Sequence, residues 1–305
     1  MDYLNGLLRM AGALALLTGI GAAHYAWLRR LVRRILSGRS ALARRLFCGV
    51  LGLLLSAATL LLACNFYVYH GFGHQPDIFR HGKRTGNMVA ITFDDGPSAL
   101  YTLKILDILR EYKLQATFFL VGRQVEKYPD IARRIAEMGH EIGNHTYDHR
   151  NLPTLGYLAL KREVLSATEI ILAATGVYPD FIRPPRGMYD GRSRRLAHLL
   201  GQQTVLWSVS GKDWQRGVRA GTIVKNVLSK ARGGDVILFH DSGALLGTEG
   251  GDRTATVRAL PAIIEGLRKK GLRIVPLKIL LADEDPAQLF PTVDQIGRAS
   301  WRERV

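Results

Sequence analysis

From Met88 onward the sequence alternates between two hydrophobic periods, and this alternation restricts the fold more than any other feature. Seven short apolar runs of strand character are separated by segments in which apolar residues recur with a helical period. The runs read MVAITFD, QATFFLV, HEIGNHT, DFIRPP, TVLWSV, DVILFHD and LRIVPL. The predicted helices between them are Tyr101–Glu111, Gln124–Met138, Leu155–Thr175, Asp190–Leu200, Ala220–Ala231 and Thr254–Lys270. This order predicts an α/β fold with a parallel sheet, either closed or open.

Polar residues cluster where the predicted strands end. No GxGxxG motif follows the first strand, so a dinucleotide-binding fold is disfavoured. In a barrel of parallel strands, the chemistry lies at the carboxyl ends of the strands. The residues found there are Asp94 and Asp95, His145 and His149, Arg183, Asp213 and Trp214, and His240 and Asp241. Their convergence predicts an active site at one end of the sheet.

Asp94 and Asp95 stand side by side in the stretch TFDDGP. Two like charges that are held close together raise each other's pKa unless a cation lies between them. The pair therefore indicates a cation-binding site. The alternative is a strand end followed by a helix N-cap, but a cap requires only one aspartate.

The stretch GNHTYDH supplies ligands for such a cation. His145 and His149 lie four residues apart, and a helical turn would bring both imidazoles to one side, where they can bind one metal ion. An HxxxH pair by itself is weak evidence, because chance pairs are common. Two histidines and one carboxylate leave a position open for water, as in catalytic zinc sites. One aspartate can then bind the metal while the other accepts a proton from water.

Residues 1–70 are predicted to form a membrane anchor. Two apolar segments, about 8–28 and 46–68, are each long enough to cross ~30 Å of hydrocarbon as a helix. The loop between them contains seven arginines and no acid, which places this loop in the cytoplasm and the globular part outside the cell. A single span with a peripheral helix remains an alternative. A signal peptide is disfavoured by Arg9 and by the missing cleavage site.

The remaining boundaries follow from composition. We expect a linker over 71–86, a catalytic domain over 87–282 and a tail over 283–305, whose part 295–305 resembles translated sequencing-adapter DNA. Of the net charge of +16, the globular part 77–295 carries +7, which suits an anionic partner such as a cell-wall polymer or a membrane surface; a generic basic surface is the alternative. No zinc-finger spacing or basic helix indicates nucleic acid as a partner. The two cysteines both lie in the second apolar segment, so no disulfide framework is expected.

Between Asn87 and Leu277 the motifs TFDDGP, HTYDH, RPP-x-G, DW and LFH occur in this order. In these five motifs the chain resembles the polysaccharide deacetylases of the NodB-homology type, carbohydrate esterase family 4. The resemblance implies a distorted seven-stranded βα barrel, which agrees with the seven predicted strands. It also implies that Asp94 is the general base and that three residues hold one divalent metal ion, usually zinc: Asp95, His145 and His149.

The same resemblance implies roles for further residues. Arg183 would orient Asp94, His240 would be the general acid, and Asp213 would orient His240. Trp214 and Leu238 would line a pocket for the acetyl methyl group, and the loop of Pro185 and Arg186 would offer a backbone N–H to the oxyanion. Arg183 could instead form a structural ion pair, and Trp214 could belong to the core.

Two positions depart from the family pattern. The fourth motif commonly reads DxxDW, but Ser210 replaces its first acid, so that Asp213 is expected to act alone. The residue after the double proline is often tyrosine, and here it is Arg186. We expect a membrane-anchored N-deacetylase that acts outside the cell on an N-acetylated glycan such as peptidoglycan. The alternatives are a deacetylase or deformylase of a lipid-linked sugar and a catalytically inactive carbohydrate-binding relative.

Overall fold

The computed structural model describes residues 22–30, 41–70, 77–243 and 251–282. The chain divides into two compact units, Met1–His74 and Gln75–Val305. The predicted tail over 283–305 lies outside the described residues.

The N-terminal unit contains two described helices, α1 (22–30) and α2 (Ala41–His70). Within α2, Arg45–Leu62 has a mean hydropathy of 2.0, which makes α2 the one described helix that is long and apolar enough to cross a membrane. The predicted span 46–68 lies inside this helix. The predicted span 8–28 lies largely outside the described residues.

The globular unit is built on one curled parallel sheet that forms a half-barrel, with strand order β1-β6-β5-β4-β3-β2-β8-β7 and with β9 pairing the start of β2. Each of the seven predicted runs contains a strand. The nine strands of the described residues are β1 Ile78–Phe79, β2 Met88–Asp94, β3 Thr117–Leu120, β4 Glu141–Asn144, β5 Phe181–Ile182, β6 Gln203–Val205, β7 Val209–Ser210, β8 Val236–His240 and β9 Arg273–Ile274.

The sheet differs from the prediction in two places. β1 lies inside the predicted linker 71–86 and pairs with β6, so the sheet begins before residue 87. A strand of two residues is too short to show an alternating pattern, which explains why the sequence did not reveal it. The run TVLWSV is split between β6 and β7, which pair with β5 and β8 respectively. The continuous segment 203–210 therefore lies on both flanks of the curled sheet.

Eight helices flank or follow the strands of this unit. The predicted helix Gln124–Met138 is broken into two at Tyr128, where φ is −132° and ψ is 58°, because a residue before a proline disfavours the helical region. The C-terminal helix was not predicted; its first N–H groups, from Leu277 and Lys278, donate to the Glu141 carboxylate at 2.7 and 3.0 Å. The helices are α3 Tyr101–Glu111, α4 Gly122–Lys127, α5 Pro129–Glu137, α6 Tyr157–Thr175, α7 Gly191–Leu199, α8 Ala220–Leu228, α9 Thr254–Lys269 and α10 Leu277–Ala282.

Three phenylalanines on neighbouring strands form the centre of the core that packs against the helices. The ring centroid of Phe93 lies 5.1 Å from that of Phe118 and 5.9 Å from that of Phe239, and all three rings are fully buried. Side chains alternate along a strand. Asp94 and His240, the last residues of β2 and β8, therefore face the other side, toward the interior of the curled sheet.

Candidate active site

The site begins where β2 and β8 end side by side. Asp94 and His240 occupy paired positions in these parallel strands. The carboxyl ends of β4 and β5 bring the segments that contain His145, His149 and Arg183 to the same edge. The structure thus brings together the predicted acids, histidines and arginine at one end of the sheet.

Asp95, His145 and His149 form a compact group of possible metal ligands. Nε2 of His145 lies 3.5 Å from Oδ1 of Asp95, and Nε2 of His149 lies 3.4 Å from the same atom. All three side chains are buried. Neither carboxylate oxygen of Asp95 has a hydrogen-bond partner among the described residues. A buried carboxylate without partners is costly unless a cation balances it.

The protonation of the two imidazoles fits a metal ion. Nδ1 of His145 lies 2.7 Å from the backbone oxygen of Arg183, which can only accept, so Nδ1 carries a proton and Nε2 is the nitrogen that faces Asp95. Burial lowers the pKa of His149 to about 3, which leaves its imidazole neutral. Two histidine nitrogens and one carboxylate are a ligand set that Zn²⁺ accepts.

The segment between the two histidines is a loop, which corrects the predicted helical turn. Thr146 and His149 adopt left-handed backbone angles with φ of 65° and 55°, and Asp95 does so with φ of 78°. Such angles cost non-glycine residues about 1–3 kcal/mol each and cluster at active sites. Asn144 and Glu163 hold the loop by accepting hydrogen bonds from the N–H groups of Thr146 at 2.7 Å and of Asp148 at 2.9 Å.

Arg183 is a fully buried cation that holds Asp94. Its Nη1 donates to Oδ1 of Asp94 at 2.6 Å and to Oγ1 of Thr92 at 2.8 Å. Its Nε and Nη2 donate to the backbone oxygens of Val205 and Leu206, each at 3.0 Å. The other carboxylate oxygen of Asp94, Oδ2, lies 3.8 Å from Nε2 of His145. Asp94 is therefore fixed by one oxygen and directs the other toward the group of possible metal ligands.

His240 is paired with Asp213 on the opposite side of the site. Its Nδ1 donates to Oδ1 of Asp213 at 2.8 Å, so Nε2 is the nitrogen left for a substrate. Burial alone would lower the pKa of His240, but the charge and hydrogen bond of Asp213, together with the charges of Asp95 and Asp94, raise it to about 9. His240 is therefore held in its protonated form at neutral pH.

Two residues at the start of α9 support Asp213 and were missed by sequence reasoning. Thr256 donates from Oγ1 to Oδ2 of Asp213 at 2.9 Å, and Nη1 of the buried Arg253 donates to the backbone oxygen of Asp213 at 3.2 Å. The backbone N–H of His240 also donates to Oδ2 at 2.8 Å. Asp213 thus does not act alone. No motif marks Arg253 or Thr256, because both read as ordinary residues of a helix start.

Asp241 directly follows β8 and connects two elements beside the site. It is fully buried, and its Oδ2 accepts a hydrogen bond of 2.6 Å from Thr102 on α3. Its backbone N–H donates to the backbone oxygen of Asp94 at 3.2 Å. Asp241 therefore ties the end of β2 to α3. Its position directly after the histidine in LFHD is the signal that could have suggested this role.

The predicted pocket residues occupy different environments. The ring of Trp214 meets that of His240 edge-on at 5.7 Å and is 40% exposed, so Trp214 belongs to the mouth of the site rather than to the core. Leu238 is buried two residues before His240 and faces the same side of β8. Pro185 is buried, and Arg186 is exposed in a 3₁₀ turn over Pro185–Gly187.

Comparisons with known proteins find chains of similar sequence. A sequence model described as Polysaccharide deacetylase matches residues 81–205. A peptidoglycan-N-acetylglucosamine deacetylase of Bacillus cereus is 43% identical over 189 residues, which are 62% of this chain and 66% of that protein. The chain thus spans just under two thirds of that relative. A chitooligosaccharide deacetylase of Sinorhizobium fredii is 36% identical, and the match covers 66% of this chain and 96% of that protein.

Solved structures give the same likeness. A crystal structure of a peptidoglycan N-acetylglucosamine deacetylase is 40% identical with a TM-score of 0.63, and the match covers 68% of this chain and 93% of that one. A family 4 pseudoenzyme from Bacillus anthracis is 26% identical with a TM-score of 0.62, covering 68% of this chain and 69% of that one. Since a pseudoenzyme has this fold, activity has to be argued from the residues of the site.

Proposed function

Since the chain belongs to the polysaccharide deacetylase family, we propose that it hydrolyses the N-acetyl amide of amino sugars in a cell-surface glycan such as peptidoglycan. The observation that carries the proposal is that a candidate base, Asp94, and a candidate acid, His240, lie on opposite sides of one buried site. Asp94 is held in place by the guanidinium of Arg183, and His240 is held in its protonated form by Asp213. A base and an acid that are ready at the same pH are what amide hydrolysis requires.

The residues Asp95, His145 and His149 would hold one divalent metal ion, with zinc as the expected ion. When bound, such an ion polarises a carbonyl and makes water more acidic. Oδ2 of Asp94 accepts a proton from the attacking water, while Arg183 keeps the carboxylate in place. The water oxygen forms a bond to the amide carbon, and negative charge develops on the former carbonyl oxygen.

That charge needs a donor from the protein. Gly187 and Met188 donate their N–H groups back to Pro184 and Pro185, whereas the N–H of Arg186 has no such partner in the described part of the chain. We assign this N–H to the oxyanion. The left-handed φ of 57° at Arg186 is the kind of strain found where a backbone group is aimed at a ligand.

The amide bond breaks when the leaving nitrogen takes a proton from Nε2 of His240. Asp213 stabilises the imidazolium beforehand, and the ring of Trp214 contacts the imidazole edge-on. The products are acetate and a free amino group on the sugar. Leu238 and Trp214 would enclose the acetyl methyl group.

The test of this function is acetate release by the purified full chain from peptidoglycan and from chitooligosaccharides, measured together with metal content. We expect acetate from at least one of the two glycans, and we expect a chelator to abolish its release. Release of acetate or formate from lipid-linked sugars alone would favour the second candidate function, a deacetylase or deformylase of a lipid-linked sugar. The apolar helix α2 supports that candidate. A metal-loaded protein that releases neither product from any of these substrates would be an inactive carbohydrate-binding relative.

We propose that the globular unit lies outside the cytoplasm and that residues 1–70 anchor it in the cell membrane, by one or two spans. The seven arginines between the two predicted spans support this orientation. A reporter that functions only outside the cytoplasm, fused after residue 280, is expected to give a signal. A signal from a cytoplasm-only reporter at the same place would refute the orientation.

The pair of His240 and Asp213 predicts a change in the pH dependence of the rate. His240 must be protonated to act, so the rate falls as pH rises through its pKa, and Asp213 raises that pKa. Asp213→Asn is therefore expected to move the alkaline limb of the pH–rate profile to lower pH. Asp252→Asn, which removes an exposed carboxylate near the start of α9, serves as control and should leave the limb in place. An unchanged limb in Asp213→Asn would mean that His240 is not the acid.

A further inference from the structure

Arg186 is an exposed cation at the mouth of the proposed active site. It follows β5 at the middle of the Pro185–Gly187 turn. Arg183, three residues earlier, contacts both Asp94 through its guanidinium and His145 through its backbone oxygen.

The guanidinium of Arg186 has no ion-pair or hydrogen-bond partner among the described residues. Other arginines near this end of the sheet differ in this respect. Arg123 pairs with Asp148 at 2.6 Å, and Arg192 pairs with Asp190 at 2.7 Å. An arginine that is held on a strained backbone beside a reaction site, without an acid of its own, is available to a ligand.

A guanidinium selects its ligand by charge and shape. Its planar fork of N–H donors matches a carboxylate in two parallel hydrogen bonds, which a hydroxyl or an acetamido group cannot offer. The tyrosine that is frequent at this position in the family has no positive charge. Peptidoglycan strands from which the peptide has been removed carry a free lactyl carboxylate on alternate sugars, whereas chitooligosaccharides are neutral.

We propose that Arg186 binds a carboxylate on the sugar that is deacetylated or on its immediate neighbour, and so makes the protein select an anionic glycan over a neutral one. This inference rests on the proposed function, because it names the substrate class of the same site. The backbone N–H of Arg186 donates a hydrogen bond to the oxyanion, and its guanidinium binds the carboxylate of the substrate. The two roles are separable by substitution of the side chain.

The test compares two forms of one glycan. Peptidoglycan strands freed of peptide are used as they are and after chemical reduction of their carboxylates to alcohols, so that the two substrates differ in charge and otherwise share one sugar backbone. For the parent chain, we expect kcat/KM to be about tenfold or more higher for the carboxylate form, since hydrogen bonds between charged groups contribute that much. Arg186→Gln should bring the ratio of the two kcat/KM values close to one, and Arg186→Lys should restore part of it.

Arg216→Gln is the matched control, because it removes the same charge from an exposed arginine two residues after Trp214. It should keep the parent's ratio. A parent that does not distinguish the two forms would overturn the proposal. So would a loss of the ratio in Arg216→Gln as large as that in Arg186→Gln, because the preference would then come from the general positive field.

A binding measurement separates this inference from the proposed function. The affinities of the Asp94→Asn variant for the two glycan forms are measured by calorimetry with and without Arg186→Gln. A preference for the carboxylate form that requires Arg186 supports the inference even if no acetate is ever released, in which case only the proposed function fails. Equal affinities for both forms would overturn the inference even if the protein is an active deacetylase.

Discussion

Asp94→Asn is expected to lower kcat by about 10²–10⁴-fold, the usual contribution of a general base, while the protein keeps its metal ion. The asparagine side chain has the shape of the aspartate and can still accept from Arg183 through its oxygen. It cannot take a proton from water. The three proposed metal ligands are other residues, so metal content should remain at the parent's level.

His145→Ala is expected to lose both the metal ion and the activity, because it removes a ligand atom that faces Asp95 at 3.5 Å. Metal content and acetate release of the two purified variants are measured side by side. His198→Ala, which removes an exposed histidine from α7, is the control and should match the parent in both measurements. If Asp94→Asn were the variant that lacks metal, the roles of the two aspartates would have to be exchanged.

Arg183→Met is expected to destabilise the globular unit by about 3–5 kcal/mol, because it leaves the Asp94 carboxylate buried without its partner. For a unit of this size the midpoint of thermal unfolding should fall by about 6–20 °C. Methionine keeps much of the apolar stem, so the effect reports the loss of the guanidinium. That guanidinium also lies over the ring of Phe119, with Cζ 3.9 Å from the ring centroid.

The control for this measurement is Arg268→Met. Arg268 also stacks its guanidinium on an aromatic ring, that of Tyr112 at 5.5 Å, but it does so at the surface. Its loss should change stability by less than about 1 kcal/mol. Thermal unfolding of the full chain in detergent compares the two variants. Equal small shifts would mean that Arg183 contributes little to stability and that its buried pairing serves catalysis alone.

The sequence predicted the sheet and the convergence of the site well, and the reason is physical. Strands buried on both sides read as apolar runs, and parallel strands place their carboxyl ends at one edge. These two rules suffice to bring Asp94, His145, Arg183 and His240 together. They require no knowledge of loop geometry, because the position of each strand end determines where the backbone of each of these residues lies.

The supports of the site could not be predicted in the same way. Thr256 reaches Asp213 only because α9 folds back against the loop after β7, over a separation of 43 residues. The left-handed angles at Thr146 and His149 have no glycine to mark them. Such contacts depend on the packing of distant elements, for which a local period in the sequence carries no information.

Arg183 also couples the geometry of the proposed active site to the folding of strand β6. It donates to the carbonyl oxygens of Val205 and Leu206 at the end of β6 and, with the same guanidinium, to Asp94. A local opening of β6 would remove two acceptors from a buried cation and would release the carboxylate at the same moment. Native-state opening of this flank and loss of the competent site are thus one event. Substitutions in β6 that make no contact with the substrate can therefore abolish activity. Hydrogen exchange at the amide of Thr204 would report how often β6 opens and the intact chain is transiently inactive.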